Sequence, residues 1–195
     1  MAYVGPKFVF IHIYKTGGNS VRRALHLNRV EEVSGVHSNV TQTLTAIGEE
    51  TYHSKFSFAF VRHPYPWCLS LYHYILRAKL HQHHLRVAKM NLFQFVHFLG
   101  NDLFHMQYKP AENRHQTLTS FLSHNGKIDL SYVARFDKLN QELLEIATRL
   151  EIPLQRKDIP RANAGHHVRR VLTQPEKEAV YKYFQEDFDN FHFQR

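Results

Sequence analysis

Two short runs of aromatic and β-branched residues each give way within a few positions to a chain-turning motif and then to a helical pattern. Lys7 to Ile13 (KFVFIHI) is followed by Gly17-Gly18 and by Val21, Ala24 and Leu25 at helical spacing. Phe56 to Val61 (FSFAFV) is followed by Pro64 and Pro66, which a first helical turn tolerates. An apolar stripe of Trp67, Leu71, Tyr74, Ile75 and Ala78 comes next. Strand, tight turn and helix, twice over, predict an α/β fold: a P-loop-like parallel sheet flanked by helices. A third strand is expected at Tyr132 to Phe136, followed by a helix that Asp137 caps and that buries Leu139, Leu143, Ile146, Ala147 and Leu150.

Further helices are expected from Asn19 or Ser20, from Ser38 or Asn39, and over Asn91 to Gly100. A last one has Thr173 and Glu176 as a capping box and Val180, Tyr183, Phe184, Phe188 and Phe191 inside. The 195 residues contain no repeat or Gly/Ser linker, so a single domain over 1–195 is expected. Cys68 is the only cysteine, which excludes disulfides and zinc-thiolate clusters and favours a reducing compartment. With no signal-peptide layout and no membrane-length apolar run, a cytoplasmic chain without a membrane span is expected. A net charge of +8 calls for an anionic partner.

In such folds ligands sit at the carboxyl ends of strands, which directs attention to two loops. In the first, Tyr14-Lys15-Thr16-Gly17-Gly18-Asn19-Ser20, the glycines let successive N–H groups and a helix N-terminus converge on an anion. Lys15 adds a full charge, and Thr16, Asn19 and Ser20 add neutral donors. The lysine precedes the glycines, unlike the nucleoside triphosphatase loop in which it follows them. In the second loop, Arg62 leaves a strand end where its planar fork suits a phosphate. Ser70, eight residues on, falls broadly on the same side of a helix.

As a pair, these loops resemble the nucleotide-binding elements of sulfotransferases that use 3′-phosphoadenosine-5′-phosphosulfate (PAPS). Lys15-Thr16-Gly17-Gly18-Asn19-Ser20 is similar to the family's 5′-phosphosulfate loop, and Phe60-Val61-Arg62-His63-Pro64 through Ser70-Leu71-Tyr72 to its 3′-phosphate element. Val133-Ala134-Arg135-Phe136-Asp137-Lys138-Leu139 and the segment Tyr181 to Phe193, with Asp187 and Phe191, resemble two later elements of the carbohydrate-type, family 2-like branch. Asn19 and Asp137 depart from the commoner Ser/Thr and Glu. Residues 79–114 match no pattern of the family, and an acceptor pocket is expected to vary there.

The resemblance implies transfer of a sulfuryl group from PAPS to a hydroxyl of a carbohydrate or glycosylated small molecule, releasing 3′,5′-adenosine diphosphate without a metal. Lys15 would stabilise charge on the leaving phosphate, and Thr16, Gly17, Gly18, Asn19 and Ser20 would hold the 5′-phosphosulfate. Arg62 and Ser70 would hold the 3′-phosphate, with Arg169 and Arg170, from the basic cluster around His166 and His167, on the same side. His37 is the expected base, since an imidazole titrates near neutral pH and this one stands before a Ser38-capped helix. His12 is expected to be structural and His63 to orient its turn. His81, His83 and His84 do not make a metal site by their spacing. A kinase would need a Gly-Lys-[ST] loop ending and an acidic magnesium ligand. A nucleic-acid module would need exposed aromatics among massed cations, and neither pattern is present.

Overall fold

A computed structural model describes residues 2–27, 31–33 (main chain only), 38–100, 117–160 and 170–195. It divides into two compact units, Met1–Arg62 with Phe121–Val168, and His63–Ser120 with Arg169–Arg195. Neither unit is one continuous segment, so no linker in the sequence would mark the division.

The first unit holds β1 (Ala2–Val4), β2 (Phe8–Ile11), α1 (Gly18–Ala24), β3 (Glu31–Val33), α2 (Val40–Ile47), α3 (Glu49–His53) and β4 (Phe56–Val61). After the chain returns come the two-residue hairpin strands β5 (Ser123–His124) and β6 (Lys127–Ile128), then β7 (Tyr132–Arg135) and α8 (Leu139–Arg149). Its main sheet has the order β3-β1-β2-β4-β7. The three strands expected from sequence form its parallel part, β2 beside β4 beside β7. The sheet as a whole is mixed rather than parallel, because β1 and β3 add an antiparallel edge. Both are three-residue strands, too short to show a period; β1 turns directly into β2, where Gly5 N–H donates to Phe8 O.

One face of this sheet carries an aromatic ladder, since the register pairs Phe10 with Phe58 and stacks their rings at 5.0 Å between centroids. Phe8, Phe10, Phe58, Phe60 and Ala134 pack with Val21, Ala24 and Leu25 of α1 and with Leu143, Ile146, Ala147 and Leu150 around α8. The alternate residues Val9, Ile11, Ala59 and Val61 are also fully buried, as expected of central strands.

Local signals account for several boundaries. Asn39, not Ser38, caps α2: its Oδ1 accepts from Gln42 N–H at 2.7 Å and Gln42 returns the bond. Asn19 and Ser20 do not cap α1; they lie inside its first turn, and left-handed Gly17 (φ 89°) is the cap. Asp137 does not cap α8 either. It sits in a 3₁₀ turn over Phe136–Lys138, where its carboxylate is drawn to Arg135 Nε at 3.1 Å.

The second unit is helical: α4 (Pro64–Arg77), α5 (His84–Val87), α6 (Leu92–Gly100), the start of α7 (Leu118–Leu122) and α9 (Gln174–Asn190). Trp67, Leu71 and Ile75 of α4 are buried as expected, but Tyr74 is exposed because the buried stripe runs instead through Cys68 and Tyr72. The Thr173–Glu176 box starts α9, which buries Val180, Phe184 and Phe188 and breaks helical geometry at Phe184. Trp67 meets Phe184 edge to face at 5.6 Å, tying α4 to α9. Among the described residues no helix is long and apolar enough to cross a membrane.

Candidate functional site

The carboxyl ends of β2, β4 and β7 lie side by side, so the segments that follow them form one edge of the first unit. After β2 the chain turns sharply. Lys15 is in the left-handed region (φ 63°), which costs a residue with a Cβ of order 1 kcal/mol, and Gly17 is there too (φ 89°). Thr16 is fully buried, and its hydroxyl donates to Ile13 O at 2.8 Å, so only its main chain could serve an anion.

The two glycines are needed for different reasons. A Cβ on Gly17 would lie 2.9 Å from the Phe136 ring, and one on Gly18 would lie 1.9 Å from the ring of His12. His12, whose ring stacks on Phe10, thus fills the space under the first turn of α1. That is the structural part expected of it. Asn19 is exposed and Ser20 buried; Ser20 N–H closes the turn onto Gly17 O at 2.8 Å. With α1 only seven residues long, fixed charge at this edge comes from Lys15 and Arg62 more than from a helix dipole.

Arg62 follows β4 and reaches back to the first loop. Its Nη1 donates to Lys15 O at 3.2 Å, and its guanidinium carbon lies 4.5 Å from the centroid of the Phe136 ring. Its Nε is buried and has no hydrogen-bond partner among the described residues. Burial brings the guanidinium down to about 10, which leaves it a cation at neutral pH. Lys15, Gly17, Arg62 and Phe136 are therefore assembled in one place, two full charges around a two-glycine turn. That is an edge suited to a compact polyanion.

Ser70 belongs to the second unit, half-buried on α4. His63 caps that helix. Its Nδ1 accepts from Tyr65 N–H at 3.3 Å and its Nε2 bonds to Gln194 O at 2.9 Å, so it orients the turn as expected. Arg170 donates to the buried carboxylate of Glu176 at 2.5 Å, an ion pair across the start of α9 that engages one of its five N–H groups. His37, Arg169, His166 and His167 lie outside the described residues. Ring nitrogens of His81, His83 and His84 bond to His83 N–H, the Gln82 amide and Ile75 O respectively. Among the described residues no cluster of His, Cys, Asp or Glu is placed to hold a metal.

Residues 5–194 match the model of the sulfotransferase family. The chain belongs to this family. No curated protein and no solved structure matches it. Membership supports sulfuryl transfer as the general activity, and nearly the whole chain takes part in the match. Within the sulfotransferase fold, sequence reasoning missed Phe136 as the surface on which Arg62 rests. The available signal was its position, one residue past the third strand, next to the edge that the other two strands form.

Proposed function

We propose that this sulfotransferase takes its sulfuryl group from PAPS and passes it to a hydroxyl of a carbohydrate or glycosylated small molecule, releasing 3′,5′-adenosine diphosphate. The observation that carries the reading is the hydrogen bond from Arg62 to the Lys15 carbonyl. It joins the loop assigned to the 5′-phosphosulfate to the residue assigned to the 3′-phosphate, and the two ends of a doubly phosphorylated nucleotide require that proximity. In this reading Lys15 faces the bridging oxygen, and Thr16, Gly17, Gly18, Asn19 and Ser20 surround the 5′-phosphosulfate. Arg62 and Ser70 hold the 3′-phosphate, with Arg169 and the remaining N–H groups of Arg170 on that side.

The acceptor oxygen attacks sulfur as the bond from sulfur to the bridging phosphate oxygen breaks. Negative charge then builds on the departing 5′-phosphate, where Lys15 is most useful. The acceptor's proton passes to His37, a base whose ordinary pKa suits neutral conditions. No step of this scheme uses a metal.

Thermal stabilisation by 3′,5′-adenosine diphosphate, compared with magnesium ATP and with short DNA or RNA, tests the reading. A shift selective for the bisphosphate, lost in Lys15→Ala and Arg62→Ala, is expected; a shift only with magnesium ATP overturns it. His37→Ala keeps the bisphosphate shift and loses turnover of labelled PAPS, and normal turnover in that variant removes His37 as the base.

A further inference from the structure

The charge of the chain is unevenly distributed. Between Glu50 and Asp102 there is not one Asp or Glu, whereas Lys55, Arg62, Arg77, Lys79, Arg86 and Lys89 all fall there. Four of these, Arg77, Lys79, Arg86 and Lys89, are exposed at the end of α4, in the turn that follows it and around α5. Among the described residues none of the four is ion-paired. Arg86 is exposed, and its guanidinium carbon rests 4.3 Å from the centroid of the Phe98 ring.

The same segment carries the two most exposed leucines among the described residues, Leu80 at 96% and Leu85 at 78%. Leu85, Arg86, Lys89, Met90 and Gln94 line one open groove. Main-chain bonds from His81 to Ala78, His84 to His81 and Val87 to His83 hold the turn in shape, so both leucines project from an ordered surface.

We propose that the α4–α5 turn together with α5 is a docking surface for an anionic lipid bilayer. Leu80 and Leu85 enter the boundary between headgroups and acyl chains, and Arg77, Lys79, Arg86 and Lys89 stay at the level of the lipid phosphates. A bilayer offers an apolar phase bordered by fixed negative charge, and this surface offers the complement, bare leucines bordered by exposed cations. A soluble polyanion would use the cations and gain nothing from two leucines in water. An apolar protein groove would use the leucines and leave the cations unanswered. The inference does not depend on which donor or acceptor the enzyme uses.

Co-sedimentation with vesicles tests it on the full chain. Binding to vesicles of phosphatidylcholine mixed with phosphatidylglycerol is expected to be at least about tenfold tighter than to phosphatidylcholine alone, and to weaken with added salt. The double variant Leu80→Asp/Leu85→Asp and the double variant Lys79→Glu/Lys89→Glu each lose it. These side chains lie in solvent, so melting temperature and response to 3′,5′-adenosine diphosphate stay as in the parent. Equal binding to neutral and anionic vesicles, or no binding to either, overturns the proposal. So does undiminished binding by the leucine variant together with capture on immobilised heparin, which would make this a polyanion surface.

Discussion

The guanidinium carbon of Arg62 rests 4.5 Å from the centroid of the Phe136 ring, and the sheet register explains why they meet. Val61 and Arg135 are partners across the parallel pair β4 and β7, so the next residue on each strand is set beside the other. The same ring blocks any side chain at Gly17. Phe136 therefore backs the glycine turn and supports the arginine, and Arg62 in turn holds Lys15 through its carbonyl.

Phe136→Leu keeps an apolar filler and removes the aromatic face. A cation–π contact is worth about 0.5–2 kcal/mol, so the Kd for 3′,5′-adenosine diphosphate is expected to rise roughly two- to thirtyfold. Phe136→Tyr keeps the ring and the affinity. Calorimetric titration checks both. An unchanged Kd in the leucine variant would show that Arg62 needs no support, whereas failure of the parent to bind the bisphosphate would count against the donor assignment instead.

Gly18 and His12 form a coupled pair. Gly18→Ala places a methyl group inside the space of the His12 ring, an overpacking expected to cost about 1–3 kcal/mol. In a His12→Ala background the same substitution should cost much less, so urea denaturation of the four proteins gives a non-zero coupling. Simple additivity would mean that the glycine is required for its backbone alone.

Thr16 separates stability from binding at the same loop. Thr16→Val leaves the Ile13 carbonyl without its 2.8 Å donor in a fully buried position, at an expected cost of about 1–3 kcal/mol. Thr16→Ser restores the hydroxyl and most of the stability. Because that hydroxyl is already committed, bisphosphate affinity in the serine variant should match the parent. A clear loss there would mean that the side chain touches the ligand.

Much of this was legible in sequence because it is local. The Thr173–Glu176 box, the prolines opening α4 and the three parallel strands are each written within a few consecutive residues. The failures are of two kinds. Asp137 has the chemistry of a cap, but Arg135 two residues earlier competes for the same carboxylate and wins. Tyr74 sits at helical spacing from Trp67, Leu71 and Ile75, yet the face that becomes buried is rotated toward Cys68 and Tyr72, a choice made by the neighbouring helices. Of the candidate site, the Lys15 loop and Arg62 were readable as motifs. Their joining through Phe136 was not, since it depends on which strands are neighbours and in what register.

Asp187 gives the second unit a pH dependence of unusual sign. It lies fully buried in α9, and its two oxygens accept from Leu118 N–H at 2.9 Å and Thr119 N–H at 2.7 Å. Burial nevertheless outweighs these donors and pushes the carboxyl up to about 6, from an ordinary value of 3.8. Between those two values the folded protein holds a proton that the unfolded chain has released. Stability from this group is therefore greatest below the lower value, falls as pH rises through the window, and levels off above about 6. At about 1.4 kcal/mol per pH unit the fall amounts to roughly 3 kcal/mol. Other carboxylates oppose it, so the measurement is a difference. Urea denaturation of the parent and of Asp187→Asn, from about pH 4 to about pH 6.5, should show the stability gap shifting against the parent as pH rises. Parallel pH profiles would mean that Asp187 is ionised throughout and that the two N–H groups, rather than burial, set its state.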